Sequence, residues 1–491
     1  MQHKLTISKE RVINQTHHSL NRLFTVILIT ALFPIYGVSQ QKVDQSIKLT
    51  IHLRGVYDAN ISLSRYTGSR YSEPFATNPE ITKLAEFTVS SKDLPGQFLL
   101  RMDYRKKKED KPYPSEVIFF LNKNDIELGI NPLSTTGDSI FYKNDAENPA
   151  YQLFIKENAG RRNQLALLGQ LLEGYEKKDS RFYKDAINEF NVVQNDYNEW
   201  IDKKCMENKN LFVSSIFQFQ KVTPRNWNNP IKQQIEQQEL HYFDHINFKD
   251  SLIIRTQPFN DFVNSYMNMY GMQVTSNEMR DSIFTKAGLQ ACQKASTGHP
   301  KVYGWMVDYF YRGYESYNIT PGMTMLQQFI NDPNCLTSKR QEILKRLAGM
   351  EKMKKGSIAP EFEAEMFNGM KLRFDGVSKQ KKYELLVFYE SSCSHCNDLL
   401  KELKAWYSVP ENKIWFDIIT VALDDTRASW ESKYEINKFE WNDVWASGGI
   451  NSKAANDYYI LSTPVLYIID KEMKILAMPQ NVKEVEKFLN Q

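Results

Sequence analysis

The sequence predicts a multidomain chain: an N-terminal antiparallel β sandwich, a central all-α region and a C-terminal α/β domain. Three patterns predict it. Residues 46–130 alternate apolar and polar side chains with a period of two. Residues 148–353 carry apolar side chains three and four apart. From residue 383 an apolar run, a helical pattern and a second apolar run follow one another, which opens a strand–helix–strand unit. The chain has 491 residues, too many for one ordinary domain. Hydrophobic residues make up 42% and charged residues 25%, so disorder over most of the chain is excluded. Five cysteines are too few for a disulfide-stapled scaffold.

The formal net charge of +3 resides in the first segment, where Lys4, Lys9, Arg11 and Arg22 oppose Glu10. The remainder is neutral, so bulk electrostatics give no reason to expect a nucleic-acid partner. Basic residues precede the uncharged apolar run from Leu23 to Val38, and small residues Gly37 and Ser39 sit where a signal peptidase reads them. This is the three-part form of a secretory signal peptide, with cleavage expected after Ser39. The run is shorter than the roughly 20 residues a spanning helix needs. An uncleaved signal anchor is the alternative. No Cys follows the run to carry a lipid. No later stretch is long and apolar enough to span a membrane, so the mature chain is expected to be extracytoplasmic, in the periplasm or beyond.

Residues 40–147 are expected to form the sandwich. Ile47, Leu49, Ile51 and Leu53 alternate with polar residues, and Ile61, Leu63 and Arg65 continue the period. Phe87 with Val89, Phe98 with Leu100 and Met102, Val117 to Leu121 and Ile126 to Ile130 suggest further strands. The basic run Arg105 to Lys108 meets Glu109 and Asp110 and reads as a solvated hairpin tip.

Residues 148–353 are expected to be helical. Phe182, Ala186, Phe190, Val193, Tyr197 and Ile201 hold one helical face, as do Leu165, Leu168, Leu172 and Tyr175. Further helices are expected over 257–271, 276–296, 300–317, 321–330 and 337–352. His241 and His245 lie four apart, a spacing that can set two ligands on one helix face, but no acidic motif surrounds them. Cys205, Cys292 and Cys335 are an odd set, so at least one stays free or pairs elsewhere. Buried thiols are the simpler reading, and one bridge among them is the alternative.

In residues 354–491, Tyr383 to Tyr389 and Ile414 to Leu423 read as buried strands. Leu399, Leu400, Leu403 and Trp406 mark the helix between them. Ser429 to Lys438 is a short helix, Val465 to Ile469 and Ile475 to Met478 a hairpin, and Val482 to Leu489 a closing helix.

Cys393-Ser394-His395-Cys396 stands between the first strand and its helix. A sulfur at a helix N-terminus faces free N–H groups and the positive end of the macrodipole, which favour the thiolate. Cys393 would attack, and Cys396, one turn in, would resolve the mixed disulfide. His395 adds partial positive charge that tunes the thiolate. A zinc site needs about four ligands, and neither Cys nor His follows Cys396. Covalent haem needs His directly after the second Cys, where Asn397 stands. A purely structural bridge across so short a loop constrains little unfolded-state entropy. A redox-active pair with no metal and no cofactor remains.

These residues sit in a wider pattern: Ala359-Pro360-Glu361-Phe362, the strand Leu385-Leu386-Val387-Phe388-Tyr389, the CSHC motif, and Ser462-Thr463-Pro464 before a strand. Tyr467 to Lys471 followed by Ile475-Leu476-Ala477 completes it. The pattern resembles the thioredoxin fold of extracytoplasmic thiol–disulfide oxidoreductases of the TlpA/ResA-like group. The layout resembles multidomain members from Bacteroidetes-type bacteria. The resemblance implies a cis Pro464, with Thr463 pairing with the substrate chain as a short added strand. It implies partners that are protein thiols or disulfides, plus a redox partner. The Ser-His dipeptide resembles those of oxidising members, which leaves the direction of electron flow open.

The sequence also departs from the group. Ser392 replaces the usual aromatic residue, Val387 the buried aspartate of thioredoxin, Leu399 the glutamate of the ResA-like reductases, and Met473 the hairpin glycine. The general acid/base is therefore unassigned. Glu390 and Asp398 are the nearest carboxylates in sequence and could relay a proton to Cys396; surface solvation is the alternative. A peroxidase motif surrounds neither cysteine. The competing function is a secreted binding or scaffold protein in which the dithiol is secondary.

Overall fold

The computed structural model describes residues 46–135, 139–376 and 381–490. The expected signal segment, 1–39, lies outside the described residues.

The first region holds strands β1 (Ile47–Leu53), β2 (Asp58–Thr67), β3 (Arg70–Tyr71), β4 (Ala76–Ile81), β5 (Leu84–Val89), β6 (Gly96–Arg105), β7 (Tyr113–Leu121), β8 (Ile126–Ile130) and β9 (Phe141–Lys143). They form two sheets, ordered β5-β1-β8-β9 and β3-β2-β6-β7, with β4 also paired to β2. Leu49 and Ile51 of one sheet share a core with Ile61, Leu100 and Phe119 of the other. The sandwich is not wholly antiparallel, because β1 and β8 run parallel, with Leu49 beside Ile126. A tight hairpin would force antiparallel pairing, but the chain reaches β8 only after crossing the second sheet. Tyr104 pairs with Tyr113, so the basic run does cap a hairpin.

The second region holds α1 (Glu147–Gly174), α2 (Arg181–Glu207), α3 (Ser214–Phe217), α4 (Ile231–His241), α5 (Gln257–Gly271), α6 (Asn277–Ser296), α7 (Pro300–Ser316), α8 (Thr320–Ile330) and α9 (Arg340–Lys352). Ala186, Phe190, Tyr197 and Ile201 of α2 are buried as their spacing predicts, but Phe182 is exposed and Tyr183 fills the core instead. The reason is local. Ser180 caps the helix by accepting from the Tyr183 amide, which leaves Phe182 in the first turn, packed on Tyr175.

Buried Glu147 joins the two regions at the start of α1. It accepts from the amides of Phe212 (3.0 Å) and Val213 (2.9 Å) and from Asn122 Nδ2 (2.6 Å).

The third region adds β10 (Phe362–Met366), β11 (Lys371–Phe374), β12 (Tyr383–Tyr389), α10 (Ser394–Tyr407), α11 (Pro410–Trp415), β13 (Phe416–Ala422), α12 (Arg427–Asn437), β14 (Asn442–Trp445), α13 (Lys453–Asp457), β15 (Val465–Ile469), β16 (Ile475–Ala477) and α14 (Val482–Leu489). The sheet order is β11-β10-β14-β13-β12-β15-β16. β12, β13 and β14 run parallel, and β15 is antiparallel to β12. Successive residues of the central β12 face opposite cores. Leu386 and Phe388 pack on one side, while Leu385, Val387 and Tyr389 pack with Cys396, Leu400 and Leu403 of α10 on the other. The second buried strand begins at Phe416 rather than Ile414, because Pro410 starts a short helix that carries Ile414 and Trp415 out to solvent. Strands β10, β11 and β14 and helix α13 carry no signal in the sequence pattern.

Replacing Glu147 by Ala leaves two buried amides without an acceptor. Chemical denaturation should show a stability loss on the order of 2–4 kcal/mol.

Candidate active site

β12 ends at Tyr389, and a short turn leads into α10. Cys393 is the N-cap of α10, with extended backbone (φ −77°, ψ 116°). Its Sγ accepts the Cys396 amide at 3.2 Å, the role usually filled by a Ser, Thr or Asp oxygen. Cys393 is half-buried and Cys396 fully buried, and both are free thiols. Burial pushes the Cys396 thiol up to about 11, and contact with Cys393 acts in the same direction. Hydrogen bonds from Thr463 and the Glu390 backbone oppose this only in part. The Thr463–Pro464 peptide is cis. The Thr463 carbonyl oxygen lies 4.0 Å from Cys393 Sγ. Two cysteines and the loop before β15 therefore meet at one point, at the C-terminal edge of the parallel strands.

The remaining expected site residues are elsewhere. His395 is on the exposed side of the first turn of α10. Glu390 is exposed and accepts from Ser392 Oγ at 2.8 Å. Asp398 is exposed and faces Lys401 at 3.6 Å. Neither carboxylate enters the buried layer around Cys396.

Two buried acids that the sequence did not single out do enter it. Asp424 follows β13 and accepts the Ser391 amide at 3.2 Å and the Ser391 hydroxyl. The Ser391 carbonyl in turn accepts from Asn397 Nδ2 at 3.1 Å. Residues on both sides of the CSHC motif are thus braced on one carboxylate. Burial pushes the Asp424 carboxyl above the usual range, against the Ser391 hydrogen bonds. Asp443 of β14 accepts from Thr420 Oγ1 (2.6 Å), Trp430 Nε1 (3.0 Å) and Tyr389 Oη (3.0 Å). Burial raises it to about 6 in spite of those donors. One signal could have pointed to Asp424: it sits just past the carboxyl end of a parallel strand, where open α/β sheets place their sites.

Perturbation alone does not mark a site. Buried Glu384, raised to about 8 by desolvation and by Asp417, sits at the far end of β12 from Cys393. The helical region contains a cavity of about 380 Å³, bordered by Tyr151, Arg162, Lys221, His245 and Asp261, and no residue of the third region lines it. His241 ends α4 and pairs with Asp244 at 2.6 Å, while His245 falls beyond the helix, so the two do not share a helix face. Among the described residues, no cluster of three His, Cys, Asp or Glu is arranged to hold a metal. Cys292 and Cys335 are buried, Cys205 is half-buried, and all three are free. Burial raises the Cys205 and Cys335 thiols to about 11.

Three central parallel strands extended by antiparallel strands on both sides, a dithiol at a helix N-terminus and a cis-proline beside it define a thioredoxin fold. Residues 380–475 match the family described as thioredoxin-like. The match spans β12 to the start of β16, and with them the dithiol and the Thr463–Pro464 loop. Similar solved structures include the thioredoxin domain of a thiol–disulfide oxidoreductase from Bacteroides vulgatus, 27% identical. It covers 28% of this chain and 99% of its own, with a TM-score of 0.25. A thiol–disulfide oxidoreductase from Bacteroides fragilis is 28% identical over 27% of this chain and 98% of its own, with a TM-score of 0.24. A thioredoxin-like protein from Bacteroides caccae is 16% identical over 53% of this chain and 94% of its own, with a TM-score of 0.36. No curated protein matches the chain.

Because folded Asp443 holds its proton more tightly than an unfolded aspartate, its stabilising effect is complete below about pH 4. That effect is lost as pH rises through about 6. Urea unfolding of wild type and Asp443→Asn should show wild type losing stability relative to the variant between those pH values, by on the order of 3 kcal/mol.

Proposed function

We propose that the chain is an extracytoplasmic thiol–disulfide oxidoreductase that acts on protein thiols through Cys393 and Cys396. The observation that carries this reading is the meeting of three elements: the N-capping sulfur of Cys393, the buried thiol of Cys396 and the cis Thr463–Pro464 peptide. The amide donated to Cys393 and the positive end of α10 both favour negative charge on that sulfur.

In the reducing direction, the Cys393 thiolate attacks one sulfur of a substrate disulfide. That bond breaks, the second substrate sulfur leaves as a thiolate, and a mixed disulfide to Cys393 forms. Cys396 then attacks Cys393 Sγ, giving the Cys393–Cys396 disulfide and releasing the first substrate sulfur. The Cys396 proton, held tightly by burial, passes to a departing thiolate. Two electrons move to the substrate, and a redox partner restores them. The oxidising direction is the same sequence reversed. In this reading Thr463 pairs with an extended substrate segment beside the reacting sulfur, supported by the 4.0 Å from its carbonyl to Cys393 Sγ, and His395 tunes the thiolate from the exposed face.

The signal-like segment supports an extracytoplasmic, periplasmic location. No helix among the described residues is long and apolar enough to cross a membrane.

Cys396→Ser should accumulate mixed disulfides with extract proteins, seen as reductant-sensitive shifts on non-reducing gels, and Cys393→Ser should accumulate none. An inert Cys393 and no trapped partner would favour the binding-protein reading instead.

A further inference from the structure

Helix α9 is the last element of the helical region, and it faces two ways. Ile343, Leu347 and Met350, spaced four and three apart, pack into the helical core, and Arg346 pairs with Glu315 of α7. Lys345, Gly349 and Lys352 have the same spacing on the opposite side, and all three meet the segment that runs into the Thr463–Pro464 loop. Lys345 Nζ donates to Asn456 Oδ1 of α13 at 2.9 Å. Lys352 Nζ lies 5.9 Å from the centre of the Tyr459 ring. Gly349 is pressed so closely that a Cβ there would lie 2.7 Å from Tyr459 Cβ.

The segment held in this way is itself tightly specified. Tyr459 has a left-handed backbone (φ 55°) and Ile460 is buried, after which the chain reaches the cis peptide and the Thr463 carbonyl, 4.0 Å from Cys393 Sγ. The loop is bounded by the dithiol at one end and by α9 at the other.

We propose that Gly349 and Lys345 of α9 are positioning residues for substrate docking: they set the α13–β15 segment so that Thr463 presents its backbone to a protein substrate. The inference rests on the oxidoreductase reading and gives the helical region a part in it. A small disulfide needs only access to Cys393. An extended polypeptide also needs the Thr463 backbone in register. Displacing the segment should therefore penalise large substrates selectively.

Gly349→Ala in the full chain tests this. Alanine favours the helix by about 1 kcal/mol over glycine, so any loss comes from the collision with Tyr459 rather than from fraying. Reduced protein is assayed with an aryl disulfide reagent and with insulin as the protein disulfide. The expected result is a rise in KM for insulin of about fivefold or more, with the aryl disulfide rate within about twofold of wild type. Lys345→Met, which keeps the stem and removes the donor, should shift the insulin KM the same way and decides the matter if Gly349→Ala does not fold. Equal slowing on both substrates, or no change on either, would overturn the proposal. A wild-type protein inert towards both disulfides would instead remove the oxidoreductase reading on which the proposal stands.

Discussion

The amide of Cys396 points at the sulfur of Cys393 across 3.2 Å, and the rest of the site is arranged around that contact. It makes Cys393 the cap of α10, which keeps the sulfur at the open end of the helix. It also puts Cys396 one turn further in, beneath the sheet edge, where burial keeps its proton in place. One sulfur is left partly exposed to solvent while the other is buried beneath it, the asymmetry that the proposed reaction uses. A cap made by an oxygen would satisfy the helix equally well but could not exchange electrons.

That contact needs a rigid frame. The frame comes from groups distant in sequence: Asp424 through Ser391 and Asn397 on one side, and the Thr463–Pro464 loop on the other. Asp443 pins Tyr389, at the end of β12, to Thr420 of β13 and Trp430 of α12. Hydrogen-bonded acids of this kind specify one arrangement of the buried layer, since leaving their donors unpaired would be costly. Val387, in the middle of β12, is apolar, and the two acids of this layer come from just past the end of β13 and from β14.

Strong local periodicity made much of this legible. The apolar run, interrupted only by Glu384, gave β12 its bounds, Tyr383–Tyr389, and the spacing of Val482, Val485 and Leu489 gave α14. The two cysteines were visible because their spacing matches one helical turn after a strand. What escaped depends on tertiary context. β14 is four residues long with a charged residue inside it, and Asp443 is tolerated there only because three donors arrive from other elements. The strands β10 and β11 are short and half-exposed, so alternation barely registers. Proximity in sequence singled out Glu390 and Asp398, yet the chain turns both outward and brings Asp424 in from the next strand. The parallel pairing of β1 with β8 was likewise invisible, since no local signal encodes the direction of a strand that arrives from another sheet.

The chemistry of the Cys393–Cys396 pair can be read from its redox equilibrium against glutathione, by mass spectrometry of the two cysteines after thiol trapping. A working dithiol at this site gives a single two-electron couple between about −270 and −120 mV, the range of dithiol oxidoreductases. Failure of the two sulfurs to bond to each other, or a couple below about −300 mV as in structural disulfides, would contradict that chemistry.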